Sequence, residues 1–198
     1  MTGGRIGVFL DRDGTLNEEV DYVRIPDQLR MIEGAAAAVR KLNDLHLPTC
    51  LISNQSGVAR GYLSEEELAQ VHSRLESELK KEGAWLDAIY YCPHHPTAGK
   101  APYNVECDCR KPNTGMLRQG EKEFGLDLKQ SFVVGDSIVD MKAGSSVGAN
   151  TVLVLTGYGK ASLAESKVLH LRIDNVANNI TEAVEYIALR IKEKTQTI

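Results

Sequence analysis

The sequence predicts an α/β fold, a parallel sheet covered by helices on both faces and so three layers thick. Three observations carry this. Short apolar runs alternate with longer stretches whose apolar residues recur at helical spacing. The short runs, such as Ile6 to Leu10 and Phe132 to Val134, lack the polar alternation of a half-exposed strand, as strands buried on both faces do. Several of them stop abruptly in small polar or acidic residues, and ligands gather at the carboxyl ends of strands in such sheets.

The first strand runs through Val8, Phe9 and Leu10 into Asp11-Arg12-Asp13-Gly14-Thr15. In extended chain the period of two puts Asp11 and Asp13 on one side. Two carboxylates that close raise one pKa unless a cation sits between them, so the pair asks for a metal ion, a neutral acid, or both. A calcium loop of the EF-hand type is excluded: it needs Gly sixth and Glu twelfth, where this chain has Leu16 and Tyr22. The polar stretch that follows places Glu19, Val20, Asp21 and Tyr22 either within reach of a ligand or on a solvated loop. A helix opening at Glu33-Gly34 lines up Ala35, Ala38, Val39, Leu42 and Leu45.

Pro48 to Ile52 is the second strand, with Cys50 a core residue. It ends in Ser53-Asn54-Gln55-Ser56-Gly57, where Ser53 either donates to an anion or caps a turn. Ser64 and Glu67 form a capping box for a helix reaching about Gly83, with His72 expected on its surface. Ala88 to Tyr91 is the third strand and leads into Cys92-Pro93-His94-His95-Pro96, then Cys107-Asp108-Cys109. Thiolates and imidazole in this pattern suit a tetrahedral structural zinc on Cys92, His94, Cys107 and Cys109, with His95 as the substitute for His94. The zinc-binding loop spans 92–109. Arg110 and Lys111 follow at once, a forked and a point cation that a metal-pinned loop would present to a phosphate ester.

A helix from Thr114-Gly115 to about Gly125 precedes the fourth strand, Gln130 to Val134. That strand terminates in Gly135-Asp136-Ser137, with Asp140 shortly after. Asp136 with Asp11 would meet the oxygen-rich demand of Mg²⁺, or Asp136 caps the next helix. Thr151 to Leu155 is a fifth strand. A last short strand is expected near Val168-Leu169 and a helix from about Ile180.

At 198 residues the chain fits one domain, 1–198. A net charge of -4 argues against a general nucleic-acid binder without forbidding a local cationic pocket. No apolar run approaches the roughly 18 residues of a membrane span. No secretory apolar core is seen near the first residue, so a cytoplasmic protein is expected, and four cysteines there suggest metal before disulfides.

The ordered set Asp11-x-Asp13, Ser53, Lys111 and Asp136 with Asp140 resembles the four motifs of the haloacid dehalogenase superfamily of aspartate-nucleophile phosphatases, over about Val8 to Thr156. The resemblance implies a Rossmann-like sheet of order 5-4-1-2-3 with no large cap domain. It implies Asp11 as nucleophile, Asp13 as general acid and base, Ser53 and Lys111 as stabilisers of the transferring phosphoryl group, and Mg²⁺ on Asp11, Asp136 and the Asp13 backbone carbonyl. It further implies substrate contacts from Arg12, Glu19, Val20, Asp21, Tyr22, Asn54, Gln55, Ser56, Arg110 and Ser137; relatives often carry Lys at the position of Ser137. The implied reaction removes the 7-phosphate of a D-glycero-D-manno-heptose 1,7-bisphosphate, feeding surface polysaccharide. Histidinol phosphate is the alternative substrate. The implied partner is a phosphorylated sugar, with no nucleic acid or membrane, and the chain is expected to act as a monomer. A non-catalytic interaction protein is the reading from another class, and the intact set of Asp11, Asp13, Lys111 and Asp136 counts against it.

Overall fold

The protein is described here from a computed structural model, over residues 4–196. Six parallel strands form one sheet: β1 (Val8–Leu10), β2 (Thr49–Asn54), β3 (Ala88–Cys92), β4 (Phe132–Gly135), β5 (Asn150–Val154) and β6 (Asn175–Ala177). Their spatial order is β3-β2-β1-β4-β5-β6. Read from the opposite edge this contains the expected 5-4-1-2-3, extended by β6. Six α-helices alternate with the strands: α1 (Ala35–Asp44), α2 (Glu65–Lys81), α3 (Gly115–Phe124), α4 (Ile138–Val147), α5 (Gly159–Val168) and α6 (Ile180–Gln196).

The period of two sorts the strand residues into two cores. Val8, Leu10, Leu51, Val134 and Val152 pack with α1, α2 and α6 on one face. Phe9, Cys50, Ile52 and Val133 pack with Met116 and Leu117 of α3 and Ala143 and Val147 of α4 on the other. Burial on both faces is why the strands read as unbroken apolar runs. Among the described residues no separate cap domain rises from this sheet; the stretch between β3 and α3 is the Cys- and His-bearing loop. Among the described residues no helix is long and apolar enough to cross a membrane.

Two expectations are corrected. The last strand lies at Asn175–Ala177, and Val168-Leu169 instead ends α5, where the Leu169 N–H donates to Glu165 O at 2.9 Å. Val168 is 78 % exposed, so its apolar character marks a helix end rather than a buried strand. His72 is buried and not on the surface. It shares the inward stripe of α2 with Leu68, Leu75 and Leu79, and its ring lies 5.5 Å from that of Tyr91.

The topology places the site. From β1 the chain steps outward through β2 and β3, then returns to β4 on the other side of β1. The crevice at the carboxyl ends where the direction reverses is the expected ligand position, and Asp11 and Asp136 follow β1 and β4 directly.

Candidate active site

β1 is three residues long, but the ladder continues for one more bond: the Asp11 N–H donates to Val134 O at 2.9 Å. The chain then closes a tight turn in which the Leu16 N–H donates to Arg12 O at 2.8 Å. Asp136 leaves neighbouring β4, and Asp140 sits in the first turn of α4, where its Oδ2 accepts from the Ser137 N–H at 3.1 Å. Ser137, not Asp136, is therefore the residue that caps α4. Carboxylate oxygens of Asp11, Asp136 and Asp140 all come within 4.8 Å of one another.

Lys111 reaches into this group from the loop after β3. Its Nζ lies 2.6 Å from Asp11 Oδ1 and 2.6 Å from Asp140 Oδ1, and donates to Ile52 O at 2.7 Å. Its position is fixed from behind. Asn54 Nδ2 donates to Lys111 O at 2.9 Å while Asn54 Oδ1 accepts from the Lys111 N–H at 2.9 Å.

Two glycines make room for Asp136. Gly14 and Gly157 hold left-handed φ values of 75° and 50°, and a Cβ on either would overlap Asp136 Oδ2. That oxygen accepts from the Tyr158 N–H at 2.7 Å.

The electrostatics follow from burial. Burial pushes the Asp11 carboxyl up to about 7; the Lys111 ammonium pulls against this and Asp140 adds to it. Burial, then the Asp11 charge, pushes Asp136 up to about 8 against the Tyr158 N–H. Lys111 is held above the usual lysine range, because Asp11 and Asp140 outweigh its own desolvation. Three buried carboxylates thus face one ammonium. The two negative charges left over equal the charge of one divalent cation. Hard oxygen donors suit Mg²⁺, which keeps several waters and needs only one or two carboxylates. With Asp140 engaged by Lys111 and Ser137, Asp11 and Asp136 are the donors that fit it.

Asp13 stands apart from that cluster. Its Oδ1 accepts from Arg12 Nε at 3.1 Å and Asn17 Nδ2 at 2.9 Å, and its Oδ2 from Arg12 Nη2 at 2.8 Å and Gln55 Nε2 at 3.0 Å. Burial raises its carboxyl, but the Arg12 guanidinium and these bonds win and hold it below the usual range. Gln55 also donates to Ser53 Oγ at 2.7 Å.

Asp11, Arg12, Asp13, Glu19, Asp21, Tyr22, Ser53, Asn54, Gln55, Ser56, Lys111, Asp136 and Ser137 line one pocket. Val20 and Arg110 do not line it: Val20 is half-exposed and Arg110 Nη1 donates to His94 O at 3.2 Å. Arg12 is almost fully buried, with its guanidinium on Asp13. Val139, Asp140 and Tyr158 complete the lining. The turn Thr156-Gly157-Tyr158-Gly159 after β5 was the available signal for Tyr158, since it too is small and polar at a strand's carboxyl end.

The second cluster closes the loop after β3. The Cys92 and Cys107 sulfurs are 3.4 Å apart and Cys107 and Cys109 3.3 Å. His94 Nδ1 lies 3.8 Å from Cys92 Sγ and 3.4 Å from Cys109 Sγ. Tetrahedral ligands at Zn–S of about 2.3 Å stand roughly 3.7 Å apart, so the donor set and its spacing fit zinc. All four cysteines are free thiols. His95 turns from this cluster: its Nδ1 accepts from the Thr97 and Ala98 N–H groups at 3.2 and 3.0 Å.

The chain is similar to known proteins. Residues 108–183 match a family model described as "HAD-hyrolase-like". The D-glycero-beta-D-manno-heptose-1,7-bisphosphate 7-phosphatase of Haemophilus ducreyi is 42 % identical over 93 % of this chain and 99 % of its own. The D-glycero-D-manno-heptose-1,7-bisphosphate 7-phosphatase of Thermosynechococcus vestitus is 42 % identical over 94 % of this chain and 97 % of its own. Among solved structures, a D,D-heptose 1,7-bisphosphate phosphatase from B. bronchiseptica, complexed with magnesium and phosphate, superimposes with a TM-score of 0.84. It is 31 % identical and covers 93 % of this chain and 99 % of its own.

Proposed function

We propose that this chain, which belongs to the family of D-glycero-D-manno-heptose-1,7-bisphosphate 7-phosphatases among the haloacid dehalogenase-like hydrolases, releases the 7-phosphate of that bisphosphate through an aspartyl-phosphate, supplying heptose for a surface polysaccharide. One observation carries the reading: Asp11, Lys111, Asp136 and Asp140 converge in one buried cluster, with Asp13 held beside it in the same pocket.

Asp11 is the nucleophile. Lys111 on its Oδ1 fixes the carboxylate and leaves Oδ2 to attack phosphorus, so that the ester bond to the sugar breaks as the Asp–phosphate bond forms. Asp13 carries a proton to the departing sugar oxygen. It then takes one from the water that attacks the aspartyl-phosphate, which restores Asp11 and frees phosphate. The donors around Asp13 favour its ionised form, the state required for that second step; for the first step it must carry its proton against them. Lys111 and Ser53 stabilise charge on the phosphoryl oxygens. Asp11 and Asp136, with the Asp13 carbonyl, would hold Mg²⁺, which supplies positive charge opposite the phosphoryl group. Zinc on Cys92, His94, Cys107 and Cys109 would be structural, since the protein fills all four positions.

Glu19, Asp21, Tyr22, Gln55, Ser56 and Ser137 form the wall against which the sugar lies, and Arg110 attracts its anionic end. On this reading the whole chain acts as one domain and one monomer. A cytoplasmic setting agrees with four cysteines that form no disulfide among themselves.

The test is phosphate release, with Mg²⁺, from the β-anomer of the heptose bisphosphate, its α-anomer and histidinol phosphate in parallel. A kcat/KM at least about 100-fold higher for either heptose is expected, a difference of roughly 3 kcal/mol between transition states. A preference for histidinol phosphate would keep the chemistry and overturn the substrate.

A further inference from the structure

Behind Asp13, on the side of the sheet that faces α2, lie polar side chains for which the reaction gives no role. The alternation of the strands puts them there. Leu10, Leu51 and Ile89 pack in or against the core shared with α1, α2 and α6, and Leu10 pairs with Leu51 and Leu51 with Ile89 across the sheet. Two residues further on, the same face carries Arg12, Ser53 and Tyr91. Helix α2 brings His72 onto this face from its inward stripe, with its ring 5.5 Å from that of Tyr91. The Arg12 charge is felt at His72 and helps to keep its ring neutral.

Arg12 is 1 % exposed and His72 6 %. Two guanidinium nitrogens of Arg12, Nε and Nη2, are taken by Asp13. The third, Nη1, is closed to solvent, and so is His72 Nε2; neither has a hydrogen-bond partner among the described residues. Asn17 Oδ1 is a further atom of this kind, on the amide whose Nδ2 donates to Asp13 Oδ1 at 2.9 Å. These are one donor, one acceptor and a ring nitrogen that can be either. Buried polar groups find partners, and one buried water satisfies two to four of them. A leucine at position 72 would complete the stripe of Leu68, Leu75 and Leu79 without desolvating an imidazole.

We propose that His72 is a positioning residue for proton transfer: through one buried water shared with Arg12 Nη1 and Asn17 Oδ1, it holds the guanidinium and the amide that aim the Asp13 carboxyl at the departing sugar oxygen. The proposal rests on the phosphatase reading above, in which Asp13 gives a proton to that oxygen. Arg12 then serves Asp13 and not the substrate, since two of its nitrogens are taken and the third is closed to the pocket. His72 is not part of the pocket lining and touches none of the reacting groups.

The experiment measures kcat/KM for the heptose 1,7-bisphosphate and for p-nitrophenyl phosphate in wild type, His72→Leu and His72→Gln. The sugar leaves as an alkoxide that needs a proton, whereas p-nitrophenolate departs without one. The ratio of the two values therefore reports the aim of Asp13, and any general loss of folded enzyme cancels. It is expected to fall about 5- to 20-fold in His72→Leu, a share of the roughly 10²- to 10⁴-fold that a positioned general acid contributes. It should recover in part in His72→Gln, whose amide offers polar atoms at the reach of Nε2. A ratio unchanged in His72→Leu, with or without an equal loss on both substrates, would overturn the proposal, and so would a ratio as low in His72→Gln as in His72→Leu. Wild-type enzyme that cleaves another sugar phosphate in place of the heptose ester would overturn the substrate reading alone, and the ratio is then taken on that ester.

Discussion

Protein prepared with zinc in place but without magnesium should lose stability as the pH rises from 6.5 to 8.5, and magnesium should cancel most of that loss. Asp11 and Asp136 have folded-state values of about 7 and about 8, above the ordinary carboxylate value of 3.8. A group raised in the folded state contributes stability that is complete below its unfolded pKa and is lost as the pH climbs through its folded pKa. Unfolded chain has released both protons long before pH 6.5, whereas folded chain still holds most of them. Integrating bound protons over the window gives a loss of about 3 kcal/mol, the larger part from Asp136. For a chain of this size that is a fall of roughly 6–12 °C in Tm. Thermal melts at half-unit pH steps, with and without millimolar Mg²⁺, read it directly, and the stabilisation by Mg²⁺ should grow with pH as protons cease to compete for the same oxygens. Asp136→Asn should remove the greater share of the slope in metal-free protein. A metal-free Tm that stays level or rises over this window, with a magnesium increment independent of pH, would refute the idea that the carboxylate cluster lacks two positive charges.

Asp11→Asn should lower turnover by at least ~10³-fold with an unchanged far-UV spectrum; undiminished turnover would remove the covalent mechanism. Asn54→Ala cuts both ties on the Lys111 backbone, so kcat should fall about 10-fold or more and stability by about 2 kcal/mol, measured by urea unfolding. Cys107→Ser should leave less than one zinc per chain by elemental analysis and lower Tm by ~5 °C or more. Burial, then the Arg12 charge, holds His72 down at about 3. A group depressed in this way, when its charged form is the protonated one, weakens the fold as pH drops below the unfolded value of 6.5. His72→Leu should therefore abolish about 1.5 kcal/mol of destabilisation between pH 6.5 and 5, and equal acid sensitivity in wild type and variant would show that another group is responsible.

What could be read from the sequence was what lies on one element or at its end. Asp11, Ser53, Lys111 and Asp136 each stand beside an apolar run or a metal-ligand pattern, and the spacing of Cys92, His94, Cys107 and Cys109 narrows the ligand choice. What could not be read was which partner each polar group would take. Arg12 and Asn54 both stand where a substrate contact is reasonable, and both line the pocket. Yet the Arg12 guanidinium forks onto the next residue, and the Asn54 amide pairs with a backbone 57 positions away. Neighbours in sequence do not reveal which partners a side chain takes, and Arg12 Nη1 is still left buried without one. His72 shows the opposite case: the stripe of Leu68, Leu75 and Leu79 was legible, and placing position 72 on it predicts burial.

The last strand failed for a different reason. β6 is a three-residue edge in which only Ala177 is buried, so it has no apolar run to find, whereas Val168-Leu169 has one because α5 ends there. Tyr158 carries a similar lesson for the site. Its contribution to Asp136 is a backbone N–H, which any non-proline residue could supply. The trace it leaves in the sequence is indirect and lies in Gly14 and Gly157, the two positions where a side chain would collide with the Asp136 carboxylate. Gly157→Ala should therefore act through Asp136. It should weaken Mg²⁺ binding measured by calorimetry and lower kcat, since the carboxylate must move to admit the methyl group. A variant that binds Mg²⁺ as tightly as wild type would show that the glycine serves only the turn.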